Sequence, residues 1–241
     1  MRRVLTAILL SGWWGAGMAA SIDGVNTLSQ SEFEVITEDL TAAFSYKAGA
    51  SSAPLGITGI DLGVSMVVTE IIPEHEAVWR KATSGESLKA LAVPKLYLQK
   101  GLPYDVDLGA YYLSLPNSNL QAWGGEIKYS ILDGGVSIPA VAIRLAATSL
   151  FGVEQFTLNT RSVDVGISKR FLFITPYAGI GRVWSVNTPM GNAEGVLDKV
   201  DLVEDRTFIG LSFTPGGLQM ALEQDKVGDV VSYNFKLGLG F

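Results

Sequence analysis

The chain has 241 residues, a length that suits one large all-β domain or two small ones. Its formal net charge is −6 and it has no basic stripe, which argues against nucleic acid as a partner. Cysteine is absent, which excludes a disulfide framework, a thiolate metal site, a cysteine nucleophile and a cysteine-linked lipid anchor. The 27 glycines and the charged fraction of only 17% are unusual for a soluble enzyme and typical of a membrane protein made of strands.

Residues 1–20 are predicted to be a secretory signal peptide. Two arginines precede an apolar stretch from Val4 to about Trp14, and small residues follow as far as Ser21. Glycines and a serine within this stretch shorten its apolar core below the roughly 20 residues that a membrane-spanning helix needs. We therefore expect export and cleavage between Ala19 and Ser21.

Residues 21–56 are predicted to be an N-terminal segment that contains a short helix over about 29–41. Apolar residues recur at spacings of three and four at positions 33, 36, 40 and 43, and Ser29 with Glu32 forms a candidate capping box. The acidic residues of the helix would face water or the basic residues Arg144 and Lys128. The alternative is a strand through Phe33 and Val35. We expect the helix to lie in or against a barrel, where it would act as a plug.

From residue 57 onward, apolar residues alternate with small or polar residues in about ten stretches. Because successive side chains of a strand point to opposite sides, each stretch has one apolar face and one polar face. Clear examples are ITGIDLGVSMVV, YDVDLGAYYL, QAWGGEIKYSI, VAIRLAATS, SVDVGIS, TFIGLSF, GLQMALEQD and VSYNFKLGLGF. Bacterial barrels have even strand counts, so we predict ten strands. Twelve is the alternative, with LTAAFSYK as a candidate extra strand.

The connections between these strands differ in length. Short turns occur near KGLP, LDGG, KRF and TPGG, whereas 73–87 and 187–205 are long and polar. Short turns on one side and longer loops on the other are typical of an outer-membrane barrel. Aromatic residues near strand ends predict interfacial girdles; they are Tyr111, Tyr112, Tyr129, Phe171, Phe173, Tyr177, Trp184, Tyr233 and Phe241.

Together these patterns predict that residues 57–241 form an antiparallel transmembrane β-barrel whose apolar face contacts lipid. The recognised strand charges fall in the opposite phase, which would face the lumen. A soluble sandwich with an apolar core is the alternative, but that fold does not explain why short turns lie on one side and long loops on the other.

The last strand resembles the insertion signal of Gram-negative outer-membrane barrels. It places Tyr233, Leu237, Leu239 and Phe241 in one phase and ends on an aromatic residue. In that class, the barrel assembly machinery reads the final strand. The resemblance implies a location in the outer membrane, with outer-membrane lipid and the assembly machinery as partners. The motifs SYKAGASSAPLGITGIDLG, VPKLYLQKGLPYDVDLGAYY and TPYAGIGRVW also resemble an uncharacterised family of proteobacterial barrel proteins, which contributes no catalytic residue.

Inward-facing polar residues are the candidate functional residues. Charges inside a barrel are costly unless they are paired or hydrated, so we expect these residues to pair across the lumen or to line a water path. The candidate lumen-lining residues are Asp61, Glu126, Lys128, Arg144, Asp164, Glu223, Asp225 and Lys236. Glycines in the same phase, at positions 63, 109, 124, 166, 210, 238 and 240, would leave space for water or for the N-terminal segment.

Catalytic chemistry is weakly indicated. The single histidine, His75, lies between two glutamates in a predicted loop, where a solvated side chain is expected. Asp105 and Asp107 lack the further ligands of a calcium loop and are interpreted as inward carboxylates. We predict no catalytic residue, no metal site and no cofactor.

A narrow channel or small-molecule uptake protein is the leading functional hypothesis, and the sequence leaves its ligand open. A closed structural or adhesive barrel that acts through its extracellular loops is the alternative. An omptin-like surface protease is the least favoured.

Overall fold

The computed structural model describes residues 21–114, 119–135 and 137–241. In these residues, ten antiparallel strands form a closed barrel in which sequence neighbours pair and the first strand pairs with the last. The strands are β1 (Ile60–Glu70), β2 (Ala90–Gly101), β3 (Val106–Ser114), β4 (Gln121–Asp133), β5 (Ala140–Phe151), β6 (Phe156–Ser168), β7 (Ile174–Pro189), β8 (Val200–Phe213), β9 (Leu218–Val227) and β10 (Val230–Gly240). The predicted barrel and its strand number are confirmed, whereas the predicted signal peptide lies outside the described residues.

Pairing between β1 and β10 closes the barrel. Their ladder runs from Asp61 opposite Gly240 to Thr69 opposite Ser232. The backbone N–H of Phe241 donates to the carbonyl of Ile60 (2.9 Å), and the N–H of Ile60 donates back (3.0 Å). Closure matters because an open edge would present unpaired backbone groups to lipid, which cannot satisfy them.

The connections define two ends of the barrel. The connections after β2, β4, β6 and β8 lie at one end, which we call the turn end. The connections after β1, β3, β5, β7 and β9 lie at the other, the loop end. Short turns face the periplasm in outer-membrane barrels, which orients the turn end inward.

The predicted long connection over 187–205 is wrong in extent. β7 continues to Pro189 and β8 begins at Val200, so only residues 190–199 lie outside the strands. The polar residues at both ends of this region lie in the two strands rather than in a loop.

Two helices accompany the barrel: α1 (Gln30–Phe44) in the N-terminal segment and α2 (Glu76–Ala82) in the connection between β1 and β2. The predicted capping box is present, because the Ser29 hydroxyl accepts from the backbone N–H of Glu32 (3.3 Å) while the Glu32 carboxylate accepts from that of Ser29 (2.9 Å). The alternative strand through Phe33 and the candidate extra strand LTAAFSYK are therefore wrong. Neither helix is long and apolar enough to cross a membrane, which is the finding for all helices of the described residues.

The N-terminal segment runs through the barrel from the loop end to the turn end. Near its start, the backbone N–H of Gly24 donates to Ala82 of α2 (2.9 Å). In the last turn of α1, the hydroxyl of Thr41 donates to that of Ser185 on β7 (2.8 Å). Towards the turn end, the backbone N–H of Leu55 donates to the Asp107 carboxylate (3.1 Å). The predicted N-terminal helix is thus confirmed, and it lies inside the barrel.

The outer face of the barrel is apolar, as the alternation predicts. Leu145 and Val165 are 51% and 45% exposed, whereas Thr148 and Ser162, in the opposite phase, are buried. Two of the predicted girdle residues, Tyr111 and Tyr177, instead face inward and are buried. A position near the end of a strand does not decide whether a side chain faces lipid or the lumen. The face depends on whether the residue is at an odd or an even position along the alternation.

Some charged strand residues face outward, so the prediction that strand charges all lie in the inward phase is wrong for them. Arg161, Arg182, Asp205 and Lys226 are exposed in the loop-end half of β6 to β9. The Arg182 guanidinium bonds the Asp205 carboxylate (2.7 Å) across the β7–β8 ladder. Here the strands continue beyond the apolar band.

Candidate functional site: the barrel interior

The loop-end half of the interior is an apolar core. Side chains of α1 supply its centre, and Phe33 packs edge-on against Phe156 of β6 with ring centroids 6.4 Å apart. The buried residues of this cluster include Phe33, Ile36, Leu40, Ala43 and Phe44 of α1, Trp79 and Ala82 of α2, and Leu91, Val93, Leu113, Leu150, Phe156 and Leu158 of the wall. These residues fill the loop end of the lumen with packed apolar side chains, as in the core of a soluble domain.

α2 covers this core and binds α1 through His75 and Trp79. Nδ1 of His75 lies 3.0 Å from the Asp39 carboxylate, and the indole N–H of Trp79 donates to the same carboxylate (2.6 Å). The prediction of a solvated loop histidine is wrong, since His75 is only 8% exposed. It is buried because residues 71–89 fold over the mouth of the barrel, which the spacing of Trp79 and Ala82 on one side of α2 favours.

A second contact ties α2 to the start of α1. The Lys81 ammonium bonds the Glu32 carboxylate, and this hydrogen bond, together with that from the Ser29 backbone, holds the pKa of Glu32 below its usual range. Both side chains of the ion pair are partly exposed, so the pair adds little stability by itself. Its role is to hold the loop-end connection against the capped end of the helix.

The rest of the interior contains a network of ion pairs. The side chains of all eight candidate lumen-lining residues are buried in the interior. Arg144 bonds Glu126 (2.7 Å), and Lys236 bonds Asp61 (2.8 Å). The candidates Asp164 and Asp225 both bind the guanidinium of Arg206. Whether these residues border a water path stays a prediction.

Arg206 and Asp107 complete the network. Arg206 bonds Asp164 (2.9 Å) and Asp225 (2.6 Å), and Lys128 bonds Asp107 (2.9 Å). Sequence reasoning missed Arg206 because the strand was recognised only from Thr207, whereas β8 begins at Val200. The phase of Phe208 and Ser212 would have placed Arg206 inward.

The N-terminal segment supplies its own polar groups to this network. Lys47 forms an ion pair with Asp225, and its ammonium also donates to the carbonyl of Ala42 (2.6 Å). The backbone N–H of Gly49 donates to the Glu223 carboxylate (2.8 Å). Of the two surroundings predicted for the acids of α1, water is correct for Glu34, which is exposed. Arg144 and Lys128 are wrong, because carboxylates of the wall bind both cations. Asp105 is also not an inward carboxylate, since it lies exposed in the turn before β3.

The inward glycines mostly accommodate tyrosine rings. A Cβ at Gly124 would overlap the Tyr111 ring, and one at Gly210 would overlap the Tyr177 ring. At Gly109 the Tyr46 hydroxyl of the N-terminal segment approaches the backbone instead. Most of these glycines therefore leave room for tyrosine side chains of the barrel wall. Only some of them, such as Gly109, leave room for the N-terminal segment.

Two cavities lie in the polar half. One of about 30 Å³ is bordered by Lys47, Lys95, Asn234 and Lys236, and one of about 90 Å³ lies nearer the turn end, where Lys128 and Arg170 contribute to its wall. No group of three or more metal-ligating side chains occurs in the part of the chain that the structure describes.

A closed antiparallel barrel with an apolar outer face defines a transmembrane β-barrel of the Gram-negative outer membrane. No family model matches the chain, and no curated protein matches it. Solved barrel structures are similar in fold. The KdgM porin is 9% identical, over 76% of this chain and 99% of its own, with a TM-score of 0.37.

Two further structures give the same result. Ail, the attachment invasion locus protein of Yersinia pestis, is 12% identical over 76% of this chain and 97% of its own, with a TM-score of 0.31. Neisserial surface protein A is 8% identical over 76% and 95%, with a TM-score of 0.33. The similarity concerns the barrel fold alone.

Proposed function

We propose that this protein is a closed, non-conducting barrel of the outer membrane, sealed by its own N-terminal segment. The observation that carries the proposal is the apolar core at the loop end, in which Phe33, Ile36 and Leu40 of α1 are each 0% exposed. Such a barrel serves as a structural element whose contacts with the outside are made by α2 and residues 190–199.

The energy of burial favours the closed state. Fully burying one large apolar side chain contributes roughly 1.5–3 kcal/mol, so exposing Phe33, Ile36, Leu40 and Phe44 would cost roughly 6–12 kcal/mol. Since 1.4 kcal/mol corresponds to a factor of about ten, spontaneous withdrawal of α1 would occur in roughly one molecule in 10⁴ or fewer. An open pore would therefore need a partner or ligand that displaces the segment.

A narrow channel or uptake protein is the second candidate. The observation that favours it is the polar cavity of about 90 Å³ near the turn end, which begins a path towards the interior. In this alternative, α1 is a gate that moves during opening. We propose no enzymatic role, because His75 is bound to Asp39 beneath α2.

A disulfide can distinguish the two candidates. The hydroxyls of Thr41 and Ser185 are 2.8 Å apart, and the chain has no cysteine, so the double variant Thr41→Cys/Ser185→Cys offers a unique bond between α1 and β7. The single variants Thr41→Cys and Ser185→Cys are matched controls that cannot form it. Conductance is measured in planar bilayers before and after reduction.

A closed barrel is expected to show no steady conductance in the wild type or in either redox state of the double variant. Phe33→Asp, which places a carboxylate in the apolar core, is expected to show openings that the disulfide abolishes. Wild-type conductance that disappears when the helix is cross-linked would support the channel instead. Wild-type conductance that the cross-link leaves unchanged would mean an open path beside α1 and would also overturn the proposal. Circular dichroism of each variant reports whether the barrel has folded.

A further inference from the structure

One buried cation of the interior stands apart from the ion-pair network. Lys95 of β2 is 5% exposed, and its ammonium makes no hydrogen bond with any residue that the structure describes. It lies over the face of the Tyr111 ring, with Nζ 4.4 Å from the ring centroid. The other buried basic residues of the interior have carboxylate partners: Lys47, Lys128, Arg144, Arg206 and Lys236.

The contact with the tyrosine ring does not compensate for burial. A cation–π contact contributes roughly 0.5–2 kcal/mol. Taking an ammonium out of water without a partner costs considerably more, so buried charges in proteins are normally paired. Glu223 makes no ion pair among the described residues, but its carboxylate accepts from the backbone N–H of Gly49 (2.8 Å). An ammonium at this position would therefore be stabilised by an anionic or dipolar partner from solution.

The cavity beside Lys95 has the charge and the size for an anion. Its wall contains the side chains of Lys47, Lys95 and Lys236 and no carboxylate, and Asn234 adds a side-chain amide. Its volume of about 30 Å³ is sufficient for a water or a monatomic ion.

Entry is available from the turn end. The larger cavity, of about 90 Å³, shares Gly49, Gln99 and Lys236 with the smaller one. Lys128, Arg170 and Lys236 border it against a single carboxylate, that of Asp61. A small anion from the turn end would thus meet basic side chains along the route, whereas the apolar core blocks the loop end.

We propose that the cavity is a binding site for a small monovalent anion of the halide class, held by the ammonium of Lys95. The inference is independent of whether the barrel conducts, because the site lies beside the N-terminal segment in the closed state.

The first test is direct location of the ion. Crystals grown in bromide are expected to show an anomalous peak within hydrogen-bond distance of Lys95 Nζ. This measurement uses the wild-type protein and does not depend on the folding of any variant. Absence of the peak, with only water in the cavity, would overturn the proposal.

The second test measures stability against chloride at constant ionic strength, with gluconate as the large replacement anion. The folded-to-unfolded ratio of the wild type is expected to rise with chloride, about 100-fold at a concentration 100 times Kd. Lys95→Met removes the charge and keeps the stem, so it is expected to lose this dependence. Lys226→Met is the matched control on the outer face and is expected to keep it. Chloride dependence that persists in Lys95→Met, or is absent from the wild type, would refute the assignment.

Discussion

At the scale of single residues, Arg206 and Arg182 show how burial determines the contribution of an ion pair to stability. Both bind carboxylates of a neighbouring strand, but the Arg206 side chain is 0% exposed and that of Arg182 is 56% exposed. A buried charge that loses its partner remains without water, whereas an exposed one is hydrated and screened.

The replacement Arg206→Met is therefore expected to reduce the free energy of unfolding by about 3–5 kcal/mol, because it leaves Asp164 and Asp225 buried without that cation. The same replacement at Arg182 is the control and is expected to cost about 0–1 kcal/mol. Urea titration of the protein in lipid vesicles measures both. Similar small losses for the two variants would show that the interior network is hydrated and contributes little.

At the scale of elements, β4 shows what the two faces of one strand demand. Gly124 faces inward, where the Tyr111 ring of β3 covers it, and Gly125 faces outward, with no heavy atom closer to an added Cβ than 3.7 Å. An added methyl group would therefore clash at Gly124 and would fit at Gly125.

Gly124→Ala is expected to destabilise the barrel by about 1–3 kcal/mol, since the ring must move from a packed position. Gly125→Ala is expected to be neutral or to stabilise it by up to about 1 kcal/mol, through the reduced freedom of the unfolded chain. Equilibrium unfolding of the two variants in vesicles provides the comparison. Equal effects would contradict the inward packing of Tyr111.

At the scale of the whole molecule, the chain closes on itself twice. β10 pairs with β1 to complete the wall, and the N-terminal segment fills the enclosed space. Phe241 extends the closing ladder through both of its backbone bonds to Ile60, while its side chain is 76% exposed on the outside.

Deletion of Phe241 removes the aromatic end of the insertion signal together with the last ladder bonds, and it is expected to lower the amount of barrel in the outer membrane several-fold. Phe241→Asp keeps the backbone groups and is expected to lower it through the loss of the aromatic side chain alone. Leu172→Asp is the control, since Leu172 is an exposed apolar residue in a turn-end connection with a positive φ that aspartate tolerates. Quantitative blotting of membrane fractions measures the outcome. Normal assembly without Phe241 would remove this residue from the predicted signal, which also includes Tyr233, Leu237 and Leu239.

The local features of this protein were determined by the sequence itself. Alternation with period two depends only on strand geometry, so it predicted the ten strands and the face of residues such as Leu145 and Thr148. The capping box of Ser29 and Glu32 spans four residues, so it predicted the start of α1 without knowledge of the rest of the chain.

The tertiary structure decided which groups meet in the interior. Lys47 and Asp225 are 178 positions apart in sequence, and they meet because the N-terminal segment runs through the closed barrel. The burial of His75 follows from the same path, since residues 71–89 fold onto α1 at the mouth. Long-range pairings of this kind depend on strand register and on the course of the segment, and no local pattern of side chains encodes either of them.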